Sequence, residues 1–121
     1  MPARCIPVGA LALALFAVVD AGAQTPVPEP VSETYNNGDR FVGKRVLGQR
    51  EGAGVYYYAN GDRYEGEYRN GRATGVGVYY AADGSRYEGE FVDGRFEGYG
   101  TLTLPDGTRH SGLWKNNELV R

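Results

Sequence analysis

Glu65, Glu67, Glu88 and Glu90 are the residues whose type and spacing first suggest chemistry. Carboxylates two residues apart on an extended strand share a face, and paired carboxylates can divide the acid and base roles of a hydrolysis. The pair recurs 23 residues on together with everything around it, so it belongs to a repeat and reads as a solvated charged face. His110 is the sole histidine and stands where the other copies carry an aromatic ring. Without companions it makes neither a metal site nor a catalytic pair. Pairs such as Gly75-Val76-Gly77 resemble phosphate loops only superficially, because no helix follows them to supply its N-terminus. With no Ser-His-Asp or Cys-His arrangement in the chain, neither an enzymatic activity nor a cofactor or metal is expected.

Binding chemistry is better represented. Arg40, Arg63, Arg86 and Arg109 each precede the leading ring of a repeat, and Arg columns two strands apart would lie roughly 10 Å from one another. They form either a ladder for anionic head groups or ion pairs with Asp39, Asp62, Glu65 or Glu88. The aromatic residues are the other resource. Tyr58, Tyr68, Phe91 and Trp114, nearest the turns or the open end, are the candidate binding residues, while Phe41, Tyr64 and Tyr87 are assigned to the fold itself. An extended peptide, a partner helix or a stacked glycan would suit such a face.

The elements that position these groups follow from the period. Phe41, Tyr64, Tyr87 and His110 are 23 residues apart, and so are Gly43, Gly66, Gly89 and Gly112. Repeats lie near 41–63, 64–86 and 87–109, with a partial copy at 110–121. Tyr64 to Tyr68 alternates with period two, Asn70-Gly71 is a two-residue hairpin signal, and Gly75 to Ala81 is the return strand. Counting from that turn places Tyr64 opposite Gly77, Gly66 opposite Gly75, Phe41 opposite Gly54 and Tyr87 opposite Gly100. An odd period would put successive tyrosines on opposite faces unless one connection is odd. A three-residue loop with a glycine bulge is therefore expected at Asn60-Gly61, Asp83-Gly84 and Asp106-Gly107, pairing Tyr56 with Tyr64 and Tyr79 with Tyr87.

This register gives an all-β chain of successive hairpins. One face carries Phe41, Tyr56, Tyr58, Tyr64, Tyr68, Tyr79, Tyr87, Phe91, Leu102, Leu104 and Trp114. The other is mixed and partly acidic, with Val42, Val55, Tyr57, Glu65, Val78, Tyr80 and Glu88 among its members. Val31 to Tyr35 aligns with a return strand and opens the array.

The segments Tyr64–Gly77 and Tyr87–Gly100 read Y-E-G-E-Y/F-x-N/D-G-R-x-x-G-x-G, and Phe41–Gly54 is a weaker copy. The pattern resembles the MORN repeat (membrane occupation and recognition nexus). That resemblance implies an elongated, twisted, single-layer antiparallel sheet and a binding or scaffolding role without catalysis. It implies partners of the kinds linked with the family: another protein, a second copy of the chain, or a membrane lipid. The partner is a protein or the chain itself on this reading, with an anionic lipid head group or envelope glycan as the alternative.

Residues 1–23 read as a signal peptide. Arg4 is basic, Ile6 to Val19 is apolar, and Ala21-Gly22-Ala23 offers small residues for cleavage. An exported protein, periplasmic or secreted, is expected; the alternative is an N-terminal membrane anchor. Gln24 to Pro30 is a proline-rich leader, and 31–121 is the repeat domain. Cys5, the only cysteine, falls in the signal segment. Removing residues 1–23 takes away one Arg and one Asp, so the net charge stays at −2, which excludes the basic footprint of a nucleic-acid binder.

Overall fold

The computed structural model describes residues 25–121; the signal segment read from the sequence lies outside them. The described residues contain no helix and form ten strands: β1 (Glu29–Thr34), β2 (Arg40–Val46), β3 (Gln49–Arg50), β4 (Gly52–Tyr57), β5 (Arg63–Arg69), β6 (Arg72–Tyr80), β7 (Arg86–Val92), β8 (Arg95–Thr103), β9 (Arg109–Lys115) and β10 (Glu118–Leu119). They make one open antiparallel sheet in sequence order, with β3 pairing β2 off the main path. Glu29 and Pro30, assigned to the leader from sequence, belong to β1. Proline is tolerated there because β1 is an edge strand, whose outward N–H positions need no partner.

Two kinds of connection alternate. Asn70 and Gly71 have φ of 52° and 83°, and Arg69 pairs with Arg72 around them. Two consecutive positive φ values match the twist of the flanking strands, which is why Asn-Gly stands here. The other connection holds three residues. The Ala81 amide donates to the Ser85 carbonyl, the Gly84 amide donates to the Ala81 carbonyl, and Gly84 has φ of 99°. This is the odd loop with a glycine bulge that the period requires, and Tyr56–Tyr64 and Tyr79–Tyr87 pair across it as expected.

The register inside each hairpin differs from the count. Tyr64 pairs with Tyr79, not Gly77, and Gly66 pairs with Gly77, not Gly75. Likewise Phe41 pairs with Tyr56 and Tyr87 with Leu102. Between the pairs Tyr68–Ala73 and Gly66–Gly77, the single residue Glu67 faces Thr74, Gly75 and Val76. The two extra residues form a bulge, and Gly75 takes φ of 115° to make it. An excess of two preserves side-chain parity, so the sorting of faces survives the shift.

The tyrosine still covers glycine, but along the diagonal. A Cβ on Gly77 would lie 2.8 Å from Tyr64 Cε1, and one on Gly66 would lie 2.5 Å from the Tyr64 hydroxyl oxygen and 2.6 Å from Gly77 Cα. The ring is held down by its hydroxyl, which donates to the Glu67 carbonyl at 2.8 Å. Gly66→Ala therefore pushes against backbone on one side and a tethered ring on the other. It is expected to cost about 1–3 kcal/mol, read as a lower urea midpoint at unchanged slope.

The core is a row on one face: Phe41, Tyr64, Tyr68, Tyr87, Phe91 and Trp114 are buried, with Val31, Tyr35, Tyr56, Ala73, Tyr79, Phe96 and Leu102 packed against them. Its rings meet edge to face, as at Tyr64–Phe91 (5.0 Å) and Tyr87–Phe91 (5.2 Å), an arrangement that sets the positive edge of one ring on the negative face of the next. Neighbouring repeats are also tied by hydrogen bonds. The Gly71 amide donates to the Arg50 carbonyl and the Gly94 amide to the Ala73 carbonyl, so each tight turn rests on the return strand of the repeat before it. At the β1 end the row stops in polar chemistry. Arg45 sits 2.7 Å from Glu33, whose carboxyl also accepts from the Tyr35 hydroxyl and is held down to about 2, chiefly by Arg45.

Candidate functional site

The four aromatic candidates do not share one environment. Phe91 is 2% exposed, enclosed by Tyr64, Tyr87 and Phe96. Trp114 is 5% exposed and its indole N–H donates to the Gly100 carbonyl at 3.0 Å. Tyr68 is 5% exposed, set edge-on to Phe41 and Tyr64. These three were expected nearer the surface, but the strands on either side bring rings from the neighbouring repeats over them. Phe41, Tyr64 and Tyr87 are buried, as the sequence reading assigned. Tyr58 alone of the four stays open, at 38% exposure, with its ring 4.7 Å from Tyr56 and 5.8 Å from Tyr79.

The arginine column lies on the opposite face. Register runs Arg40, Tyr57, Arg63, Tyr80, Arg86, Thr103, Arg109 straight across the sheet. Arg63 is shared between the Tyr80 ring, 4.0 Å from the guanidinium, and Glu65, 2.7 Å from Nε. Arg86 meets Glu88 at 3.2 Å, and Arg40 covers Tyr57 at 4.5 Å. Ion pairing with Glu65 and Glu88 is thus present, whereas Asp39 and Asp62 do not pair with these arginines. They accept from the Tyr56 and Tyr79 hydroxyls on the aromatic face, and each also accepts a backbone amide twenty residues ahead, Ala59 and Ala82. Those bonds hold both aspartates below the usual carboxylate range, led by the Ala59 amide for Asp39 and the Tyr79 hydroxyl for Asp62. Sequence offers a signal for this: Asp39 and Asp62 accompany Tyr56 and Tyr79, while the third copy has Ser85 with Leu102.

Two residues that sequence reasoning passed over shape the open part of the aromatic face. Arg50 lies over it, its guanidinium 5.0 Å from the Phe41 ring centre and 5.1 Å from that of Tyr56, donating to the Tyr35 hydroxyl at 3.1 Å. Ala73 occupies the same column one repeat later. Between them is a groove of about 410 Å³ lined by Arg50, Tyr56, Tyr58, Tyr68, Arg72, Ala73 and Asp93, with Gly71 and Gly94 at its turn side. Arg72 faces Asp93 at 3.5 Å across it. Burial pushes the Tyr58 hydroxyl pKa up, so the groove presents neutral phenols at physiological pH. Among the described residues, no three His, Cys, Asp or Glu side chains gather as metal ligands.

A single-layer sheet of repeated hairpins with one aromatic face defines a repeat protein built of successive β-hairpins. The MORN repeat family model matches residues 46–63, 64–86 and 87–109, more than half of the chain. The chain belongs to the MORN repeat family, whose repeat is a non-catalytic module for contacts with proteins or membranes. No curated protein matches it.

Proposed function

We propose that this chain is a non-catalytic interaction module of the cell envelope that holds a protein partner, or a second copy of itself, against its aromatic face. The observation that carries this reading is the open groove between Arg50, Tyr58 and Tyr68, on the face that also holds the core. A single sheet buries one face poorly without a second layer, and a groove that combines exposed tyrosine with guanidinium has the composition of interface hot spots. The arginine column supports the lipid alternative less well, because Arg63 and Arg86 are already engaged by Glu65 and Glu88. Export is supported by the apolar run Ile6 to Val19 and the small residues at 21–23.

The test is capture from a solubilised envelope fraction by tagged full chain, with Tyr58→Ser beside wild type and with proteins and lipids both analysed. A stoichiometric protein lost in Tyr58→Ser, at a Tm within a few degrees of wild type, is the expected result. Sedimentation in parallel reads self-association. An anionic lipid or glycan enriched without protein would overturn the reading in favour of the alternative.

A further inference from the structure

The groove exists because one column of the repeat is filled unevenly. Positions 50, 73 and 96 are equivalent by the 23-residue step and carry Arg, Ala and Phe. Phe96 lies flat on Tyr87, ring centres 3.8 Å apart and planes 1° from parallel, and covers that ring. Arg50 covers Phe41. Ala73 offers only a single methyl beside Tyr68, its cross-strand partner; rings of the neighbouring repeats keep Tyr64 and Tyr68 buried, and a groove is left above the alanine. Tyr56, Tyr58, Tyr68 and Ala73 line it together with the charged Arg50, Arg72 and Asp93.

Charge around the gap is asymmetric. Among the described residues Arg50 has no carboxylate within ion-pair distance; its polar partner is the Tyr35 hydroxyl. Arg72, at the far side, is matched by Asp93. A ligand thus meets one guanidinium that no carboxylate neutralises, held by the Tyr35 hydroxyl and by aromatic faces, with the Arg72–Asp93 pair beyond it. A polyanionic head group would find one cation without a carboxylate partner and be repelled by Asp93, whereas one carboxylate next to a large apolar group satisfies both ends.

Building on the partner-binding reading, we propose that the groove over Ala73 is a peptide site selective for an acidic side chain adjacent to a large apolar one, the apolar group filling the gap as Phe96 does one repeat on and the carboxylate pairing with Arg50. Guanidinium and carboxylate can meet in a bidentate pair, the strongest form of this contact.

The experiment is selection of random linear peptides displayed on phage against the full chain, followed by affinity measurement of one selected peptide and its Glu→Gln or Asp→Asn counterpart. The variants are Ala73→Phe, which fills the gap, and Arg50→Gln, which removes the cation; Ala73→Leu stands in should phenylalanine disturb the fold. Selected peptides are expected to carry an acidic residue within two positions of a large apolar one. Each variant, and the neutral peptide, is expected to bind about tenfold weaker or worse, while Ala73→Phe keeps or raises the Tm. Peptides without an acidic residue, undiminished binding to Ala73→Phe, or no selection at all would overturn the proposal. Capture of an envelope partner that depends on Tyr58 but not on Ala73 or Arg50 would sink the groove's selectivity and leave the interaction reading standing. Binding to phosphatidylserine vesicles that the peptide cannot displace would also refute it.

Discussion

Tyr64→Ala is expected to cost about 3–5 kcal/mol, a Tm drop on the order of 15–30 °C for a domain of this size. Tyr64 is 2% exposed and stands at the middle of the row, edge-on to Tyr68 at 5.5 Å and to Phe91 at 5.0 Å. It is also the cover for Gly66 and Gly77, whose backbone has no side chain of its own to exclude water. Removing the ring deletes contacts in two repeats and opens a cavity between them. A sheet with one buried face has little reserve against such a loss, since small domains total only about 5–15 kcal/mol. Tyr64→Phe separates the contributions. It keeps the ring and removes only the hydroxyl bond to the Glu67 carbonyl, at a cost of about 1 kcal/mol. Urea and thermal melts of the two variants read this difference. An alanine variant no weaker than the phenylalanine one would show that the ring row is not the core.

Alkaline unfolding between pH 10 and 12 is the second large effect. Burial pushes the hydroxyls of Tyr56, Tyr64 and Tyr87 up to about 12, and those of Tyr68 and Tyr79 higher still. For Tyr56 and Tyr79 the neighbouring Asp39 and Asp62 add to burial as acceptors of the phenol proton. A phenol with a raised pKa favours the neutral form in the folded state and ionises first in the unfolded one. The stabilisation is therefore complete below the ordinary tyrosine value of 10 and disappears as pH rises through the folded values near 12. Because several groups share one row, ionising any of them places charge among the other rings, so the loss should be cooperative. Phenolate absorbance and far-UV circular dichroism followed together are expected to change in one step for these residues. Their full ionisation while the sheet persists would contradict the burial of the row.

Parity and turn chemistry made much of this fold legible in advance. The 23-residue step, the Asn70-Gly71 turn and the demand for an odd loop follow from counting, because side-chain direction alternates strictly along a strand. That logic separates Phe41, Tyr64 and Tyr87 on one face from Arg40, Arg63 and Arg86 on the other. It does not report depth. Tyr68, Phe91 and Trp114 sit next to turns in the chain, yet rings from adjacent repeats close over them. The available clue to the misjudged register was the second glycine column, Gly52, Gly75 and Gly98: an isolated strand glycine often marks a bulge, and here it does.

What sequence alone determined was the architecture: an all-β array of hairpins, its family, its two faces and the chemistry of its turns, all of them local and periodic. Tertiary structure decided where Asp39 and Asp62 spend their hydrogen bonds, which rings are covered, and that Ala73 leaves a groove beside an Arg50 that no carboxylate neutralises. Each of these depends on what the next repeat places overhead, and packing between residues some 20 positions apart is set by strand tilt and bulge geometry that no single repeat encodes.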